Sequence, residues 1–164
     1  MTSNEIKVLF AGEGGQGVQV IAEILAQAAF LEGKAASYIP NFGVEQRGGA
    51  SLAFVIVDDK PIVYPKFEKA DILVILSNRS RERVNEYADS KTKIIKGPAV
   101  EEGIKTKLPP QVWNIVVLGE INRIGKLVKR ESLIKAMDER FARQFKRKLE
   151  LRKLDLSALN NERL

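Results

Sequence analysis

The 164-residue sequence contains no cysteine and no histidine. Without thiols it makes no disulfide and offers no thiolate to zinc or to an iron–sulfur cluster. Cysteine nucleophiles and imidazole acid–base chemistry are excluded with them, which removes most familiar catalytic kits. Aromatic residues are scarce as well, at 7% with a single tryptophan. No stretch approaches the ~18 uninterrupted apolar residues that cross a bilayer. The opening segment MTSNEIKVLFAGEGG lacks the basic patch, long apolar run and small-residue cleavage site of a secretory signal. On sequence alone the protein is expected to be cytoplasmic, with no membrane partner.

Hydrophobic residues make up 45% and charged residues 29% of the chain, an ordinary globular composition far from that of disordered segments. Residues 1–164 are expected to form a single domain, since the length suits one core and no linker or repeat divides it. The formal net charge of +6 is concentrated late, with eleven lysines and arginines against four acids from Lys126 to Lys153. A basic segment of this kind reads either as a solvated helix face or as a surface that docks on an acidic partner. Its aromatic residues fall on the apolar side and form no base-stacking platform, so nucleic acid is not an expected partner.

Periodicity gives the elements. Ile6–Ala11 reads as a buried strand, and Gly17–Leu31 as a mostly buried helix whose polar stripe is Gln19, Glu23 and Gln27. Gly33 is its expected C-cap, before a second strand at Ala35–Ile39. Pro40–Gly49 reads as a surface loop rich in glycine. Ser51–Val57, the turn Asp58–Pro61 and Ile62–Tyr64 together predict a hairpin. A strand follows at Asp71–Leu76, a helix at Arg79–Ala88 and a strand at Lys93–Lys96. Gly97–Pro110 is an irregular connection, and Trp113–Ile124 reads as a helix. A basic helix over about 129–153 ends the pattern, with Asp155–Leu164 loosely held. The expected class is a three-layer α/β/α domain with a mainly parallel sheet and a β-hairpin insertion.

Two glycine-bearing segments carry the chemistry. Gly12, Gly14 and Gly17 keep G-x-G-x-x-G spacing between the first strand and the first helix, giving the domain a Rossmann-like start. A dinucleotide site also needs a carboxylate near the end of the second strand, but Ala36-Ser37-Tyr38-Ile39-Pro40 has none and Glu32 comes too early. The loop therefore reads either as an anion cradle or as a close-packing turn that meets another polypeptide. In Glu45-Gln46-Arg47-Gly48-Gly49, Arg47 can offer a bidentate fork to a carboxylate or phosphate, with Glu45 orienting it and two glycines leaving backbone amides accessible. The alternative is a solvated loop with a surface ion pair.

Gly12-Glu13-Gly14-Gly15-Gln16-Gly17, the run from Pro40 to Ser51, Pro61-Ile62, Tyr64-Pro65 and Ala70–Val74 together resemble the gamma subunit, or gamma domain, of the 2-oxoacid:ferredoxin oxidoreductases. The resemblance covers roughly residues 5 to 140. It implies a role in oxidative decarboxylation of a 2-oxoacid to an acyl-CoA, with electrons passed to ferredoxin. It further implies alpha, beta and delta-type partner subunits holding thiamine diphosphate, magnesium and [4Fe-4S] clusters, with coenzyme A as co-substrate. The chain has neither cysteine nor a strand-linked Gly-Asp-Gly segment with a downstream Asn, so no catalytic residue is expected in it. Its implied contribution to the cofactor or coenzyme A pocket of such a hetero-oligomer is Gly12, Gly14, Gly15, Gln16, Gly17, Glu45, Arg47, Gly48, Gly49 and Ser51. The competing expectation is a stand-alone nicotinamide- or flavin-binding oxidoreductase.

Overall fold

The first strand, β1 (Ile6–Glu13), sets the architecture because it is apolar on both faces. Val8 and Phe10 enter one hydrophobic cluster while Leu9 and Ala11 enter another, so the strand must be covered on both sides. The computed structural model describes residues 4–42 and 49–161. Helix α1 (Val18–Leu31) covers one face. It closes in a Schellman turn in which Gly33, at φ +75°, donates to the Phe30 carbonyl and Lys34 donates to that of Ala29. Strands β2 (Ala35–Phe42), β3 (Ala50–Asp58), β4 (Ile72–Ile75) and β5 (Lys93–Lys96) complete the sheet in the order β2-β3-β1-β4-β5.

The three-layer α/β class holds, but the sheet is mixed. β1 pairs in parallel with β4, and β4 with β5, whereas β3 runs antiparallel to both β1 and β2. Four strands therefore point one way and β3 alone opposes them. The hairpin lies elsewhere than expected. β3 is already paired along both edges, with β2 on one side and β1 on the other, so no edge remains for Ile62–Tyr64. That segment is not a strand, and Val63 stands 96% exposed. Ile62, Phe67 and Ala70 instead pack on the second face of the sheet. There Phe67 and Tyr87 meet the Phe54 ring edge-on, at centroid distances of 5.3 and 5.6 Å. Helix α2 (Asn78–Val84) lies on the same side through Val84, and the side-chain oxygen of Ser77 caps its first turn by accepting from the Ser80 amide.

On the α1 side, helix α3 (Trp113–Gly125) confirms the helical reading of 113–124. The basic segment is three helices rather than one: α4 (Arg130–Arg140), α5 (Ala142–Arg147) and α6 (Leu149–Asn160). The breaks fall at Phe141 and at Lys148, the latter in extended backbone at φ −142°, ψ 95°. The apolar stripe explains them. Leu133, Met137 and Phe145 are buried, but Leu149, next in the helical series, is 73% exposed. The chain turns instead, bringing Ala158 and Leu159 into the core beside α3. The expected loose end is therefore ordered helix as far as Asn160, closed by Asn161 in left-handed backbone, whose side-chain amide donates to the Lys105 carbonyl.

Helix α6 approaches α3 at Gly119, where an added Cβ would run into the Leu159 carbonyl. Gly119→Ala is expected to destabilise the fold by about 2 kcal/mol through overpacking, read as a fall of several degrees in the thermal midpoint. Asp155, on the same helix, is part-buried, and desolvation pushes its carboxyl up to about 6 from the ordinary 3.8. The folded state thus holds this proton more tightly than the unfolded chain. The corresponding stabilisation is complete below about pH 4 and is lost as pH rises through about 6. Asp155→Asn should therefore raise the melting temperature at pH 8 and leave it nearly unchanged at pH 4. Equal shifts at both pH values would contradict the assignment.

Candidate functional site

The carboxyl ends of β1, β4 and β5 lie together, and α1 leaves the sheet on one face while α2 leaves on the other. Open α/β sheets form ligand crevices at such a point. Here the crevice is a cleft of about 290 Å³ lined by Gly15, Gln16, Gly17, Gly97, Trp113 and Asn114, among others.

The glycines around it have separate physical reasons. Gly12 is hemmed in: an added Cβ would lie 2.7 Å from Val18 Cγ2 and 3.1 Å from Leu76 Cβ. Gly17 sits at φ +74°, and a Cβ there would strike the Asn114 side chain. Gly15 has φ +87° in open space, while a Cβ on Gly14 would meet nothing within 4 Å. Two of the glycines are thus demanded by packing, and the two between them leave the loop's backbone open to an approaching group. No side chain caps the α1 amino terminus, where the helix dipole favours negative charge.

Gln16 braces this loop. Its Oε1 accepts from the Glu13 amide at 2.8 Å, and its Nε2 donates to the Leu76 carbonyl at 3.1 Å, tying the end of β1 to the end of β4. At the rim, Arg79 reaches the Glu13 carboxylate at 3.5 Å, an exposed pair of small energetic weight.

Ser51 stands directly opposite Gly12 in the β1–β3 ladder and opposite Phe42 in the β2–β3 ladder. The sheet thereby places Gly49 and Ser51, at the start of β3, beside the glycine turn that ends β1. Glu45, Arg47 and Gly48 lie outside the described residues. A side-chain chain of hydrogen bonds fixes this junction. The Tyr38 hydroxyl donates to Gln19 Oε1 at 2.6 Å, and Gln19 Nε2 donates to Ser51 Oγ at 2.9 Å and to the Leu52 carbonyl at 2.8 Å. Desolvation, helped by the Glu23 carboxylate, raises the Tyr38 pKa, so its phenol keeps the proton that this chain of bonds needs. Gln19 and Tyr38 were legible only as helix stripe and strand. Trp113 and Asn114, contributed to the cleft by α3 more than ninety residues downstream, gave no local signal.

Among the described residues no three aspartates or glutamates gather as a metal site. With no cysteine in the sequence, the side chains here do not fit an iron–sulfur cluster. What the site offers is backbone amides, a helix start and an aromatic wall.

A model of the pyruvate ferredoxin/flavodoxin oxidoreductase family matches residues 7–109. The chain belongs to this family. Within it, the chain is 32% identical over 161 residues to the common gamma subunit of the pyruvate/ketoisovalerate oxidoreductases of Pyrococcus furiosus, covering 84% of this chain and 87% of that one. It is 33% identical over 152 residues to the 2-oxoglutarate synthase subunit KorC of Methanocaldococcus jannaschii, covering 80% and 81%. In fold it is similar to the gamma subunit of a keto/oxoacid ferredoxin oxidoreductase from Geobacter sulfurreducens, with TM-score 0.73, 24% identity, and 95% and 97% coverage. It is similar also to a 2-oxoglutarate:ferredoxin oxidoreductase from Magnetococcus marinus, with TM-score 0.83 and 16% identity. That match takes in 98% of this chain but 30% of the other, so the same fold occurs there within a longer polypeptide.

The two classes of glycine in the family member's loop are separable by experiment. Gly17→Ala, forced into positive φ against Asn114, should lower the melting temperature by several degrees, whereas Gly14→Ala should leave it within about 1 °C. Comparable losses from both would show that the open face of the loop is not open.

Proposed function

We propose that this chain is the gamma-type subunit of a multi-subunit 2-oxoacid:ferredoxin oxidoreductase, completing a pocket whose reacting groups other subunits supply. The carrying observation is similarity along more than four-fifths of both chains to proteins named as gamma subunits of such enzymes. The described part of the site suits the reading, because its cleft is built from glycine backbone, amide side chains and a tryptophan. Thiamine diphosphate, magnesium and [4Fe-4S] clusters then belong to alpha, beta and delta-type partners, ferredoxin is reached through the assembly, and coenzyme A is the co-substrate. Those groups supply carbonyl decarboxylation, acyl acceptance and electron transfer when bound.

This chain's part is positional. The open backbone at Gly14 and Gly15 and the uncapped start of α1 face an anion or a partner carboxylate, held in shape by Gln16 and by the Ser51–Gln19–Tyr38 bonds. Arg47, oriented by Glu45 and flanked by Gly48 and Gly49, is the polar anchor we assign to the adjoining segment from the sequence. The independent nicotinamide or flavin reading loses its structural footing at β3. That strand separates β2 from β1, setting the end of β2 about 4.8 Å farther from the glycine turn than in a βαβ pair, and β2 itself carries no carboxylate.

The test is co-expression with the companion subunits. Arg47→Ala should reduce acyl-CoA formation or the yield of assembled complex by tenfold or more. Unchanged assembly together with unchanged turnover would remove Arg47 from the site.

A further inference from the structure

Helix α5 and the turn after it carry four cations, Arg143, Lys146, Arg147 and Lys148, all exposed, with no acid before Glu150. Among the described residues none of the four makes an ion pair or a side-chain hydrogen bond. Four other arginines, Arg79, Arg123, Arg140 and Arg152, each meet a carboxylate, while Arg130 donates to Asn160 Oδ1 and exposed Arg81 has no carboxylate partner among the described residues. A face that merely needs solvation alternates signs in this paired way. Here Arg143 has like charges three and four residues on, at Lys146 and Arg147, an arrangement that weakens a helix. The helix is only six residues long and is anchored by one buried side chain, Phe145, packed against Phe141 at 5.6 Å. Nothing about its own stability accounts for the cluster.

The break at Lys148 gives the cluster an apolar centre. Leu149 begins α6 at 73% exposure, with Arg147 and Lys148 on one side and Glu150 on the other. An exposed apolar side chain between exposed charged residues in the chain matches the makeup of a protein contact, whose core is apolar and whose rim is polar. The segment shows no exposed aromatic ring for stacking on bases, as Phe145 is buried and Phe141 half-buried. A lone leucine beside an acid is also too little for insertion into a lipid surface, which needs a continuous apolar face. The whole patch lies beyond residues 7–109, outside the span the family model matches.

We propose that Arg143, Lys146, Arg147, Lys148 and Leu149 form a docking surface for an acidic protein face of a companion subunit, with the leucine seated in an apolar recess and the cations on surrounding carboxylates. The inference rests on the gamma-subunit reading and names a contact within that assembly. Charge complementarity fixes the sign of the partner, and the solitary leucine fixes the scale of its recess.

The experiment compares the isolated full chain with the complex purified from its native source. Amine acylation at Lys146 and Lys148 should be at least fivefold slower in the complex. Carbodiimide, which joins amines to carboxylates without a spacer, should link one of these lysines to an aspartate or glutamate of a companion chain. The charge-reversed variant R143E/K146E/R147E/K148E should melt within a few degrees of the wild type, yet recover tenfold less companion subunit on co-expression. Equal acylation rates in chain and complex, or wild-type recovery by the variant, overturn the inference while leaving the gamma-subunit reading intact. So does protection that nuclease or detergent abolishes, which would point to nucleic acid or lipid. A chain that purifies from its source without companions overturns the gamma-subunit reading, and this inference with it.

Discussion

The ladder between β1 and β3 is the constraint on which the rest depends. By entering antiparallel between β1 and β2, β3 places Ser51 opposite Gly12 and so brings two sequence-distant turns to one end of the sheet. It also fills both hydrogen-bonding edges of the strand that follows the 43–48 segment, which fixes its register on two sides at once. A one-residue slip would send Ala53, Val55 and Val57 out of the α1-facing cluster and replace them with Phe54 and Ile56 from the other. The geometry of the site is thus secured by core packing several residues away from it.

This arrangement suits the positional role proposed for the chain. The glycine turn is held by packing at Gly12 and Gly17 and by the two bonds of Gln16, while the intervening backbone stays unobstructed. Rigid support around an open stretch of amides limits the ordering a binding group must impose, because the donors are already in place. The position of Asn114 against Gly17 extends the support to α3, an element distant in sequence.

The features legible in the sequence were those set by neighbouring residues. Glycine spacing, the polar stripe of α1 and the Gly33 cap are local and survived intact, as did the short apolar runs of β4 and β5. An apolar run following a turn carries no record of which strand edges are free, so 62–64 reads as a hairpin strand although both edges of β3 are occupied by residues 6–13 and 35–42. Charge and apolar spacing persist through Phe141 and Lys148, so 129–153 reads as one helix, and only the fold of α6 back onto α3 interrupts it. In the site, the glycines were visible, but the cleft wall from Trp113 and Asn114 and the Tyr38–Gln19–Ser51 bonds arise from long-range packing that no local pattern encodes.

The sheet closes on neither side, which bears on a subunit made apart from its companions. Its outermost strands are β2 and β5; the outer edge of β2 presents amides and carbonyls able to recruit another chain's strand, while on β5 the Lys96 carbonyl already accepts from the Ile104 amide. Pro40 interrupts the first edge by removing a donor, and Lys93 and Lys96 bracket the second with like charge. Each device opposes pairing of its edge of the sheet with the edge of a second copy.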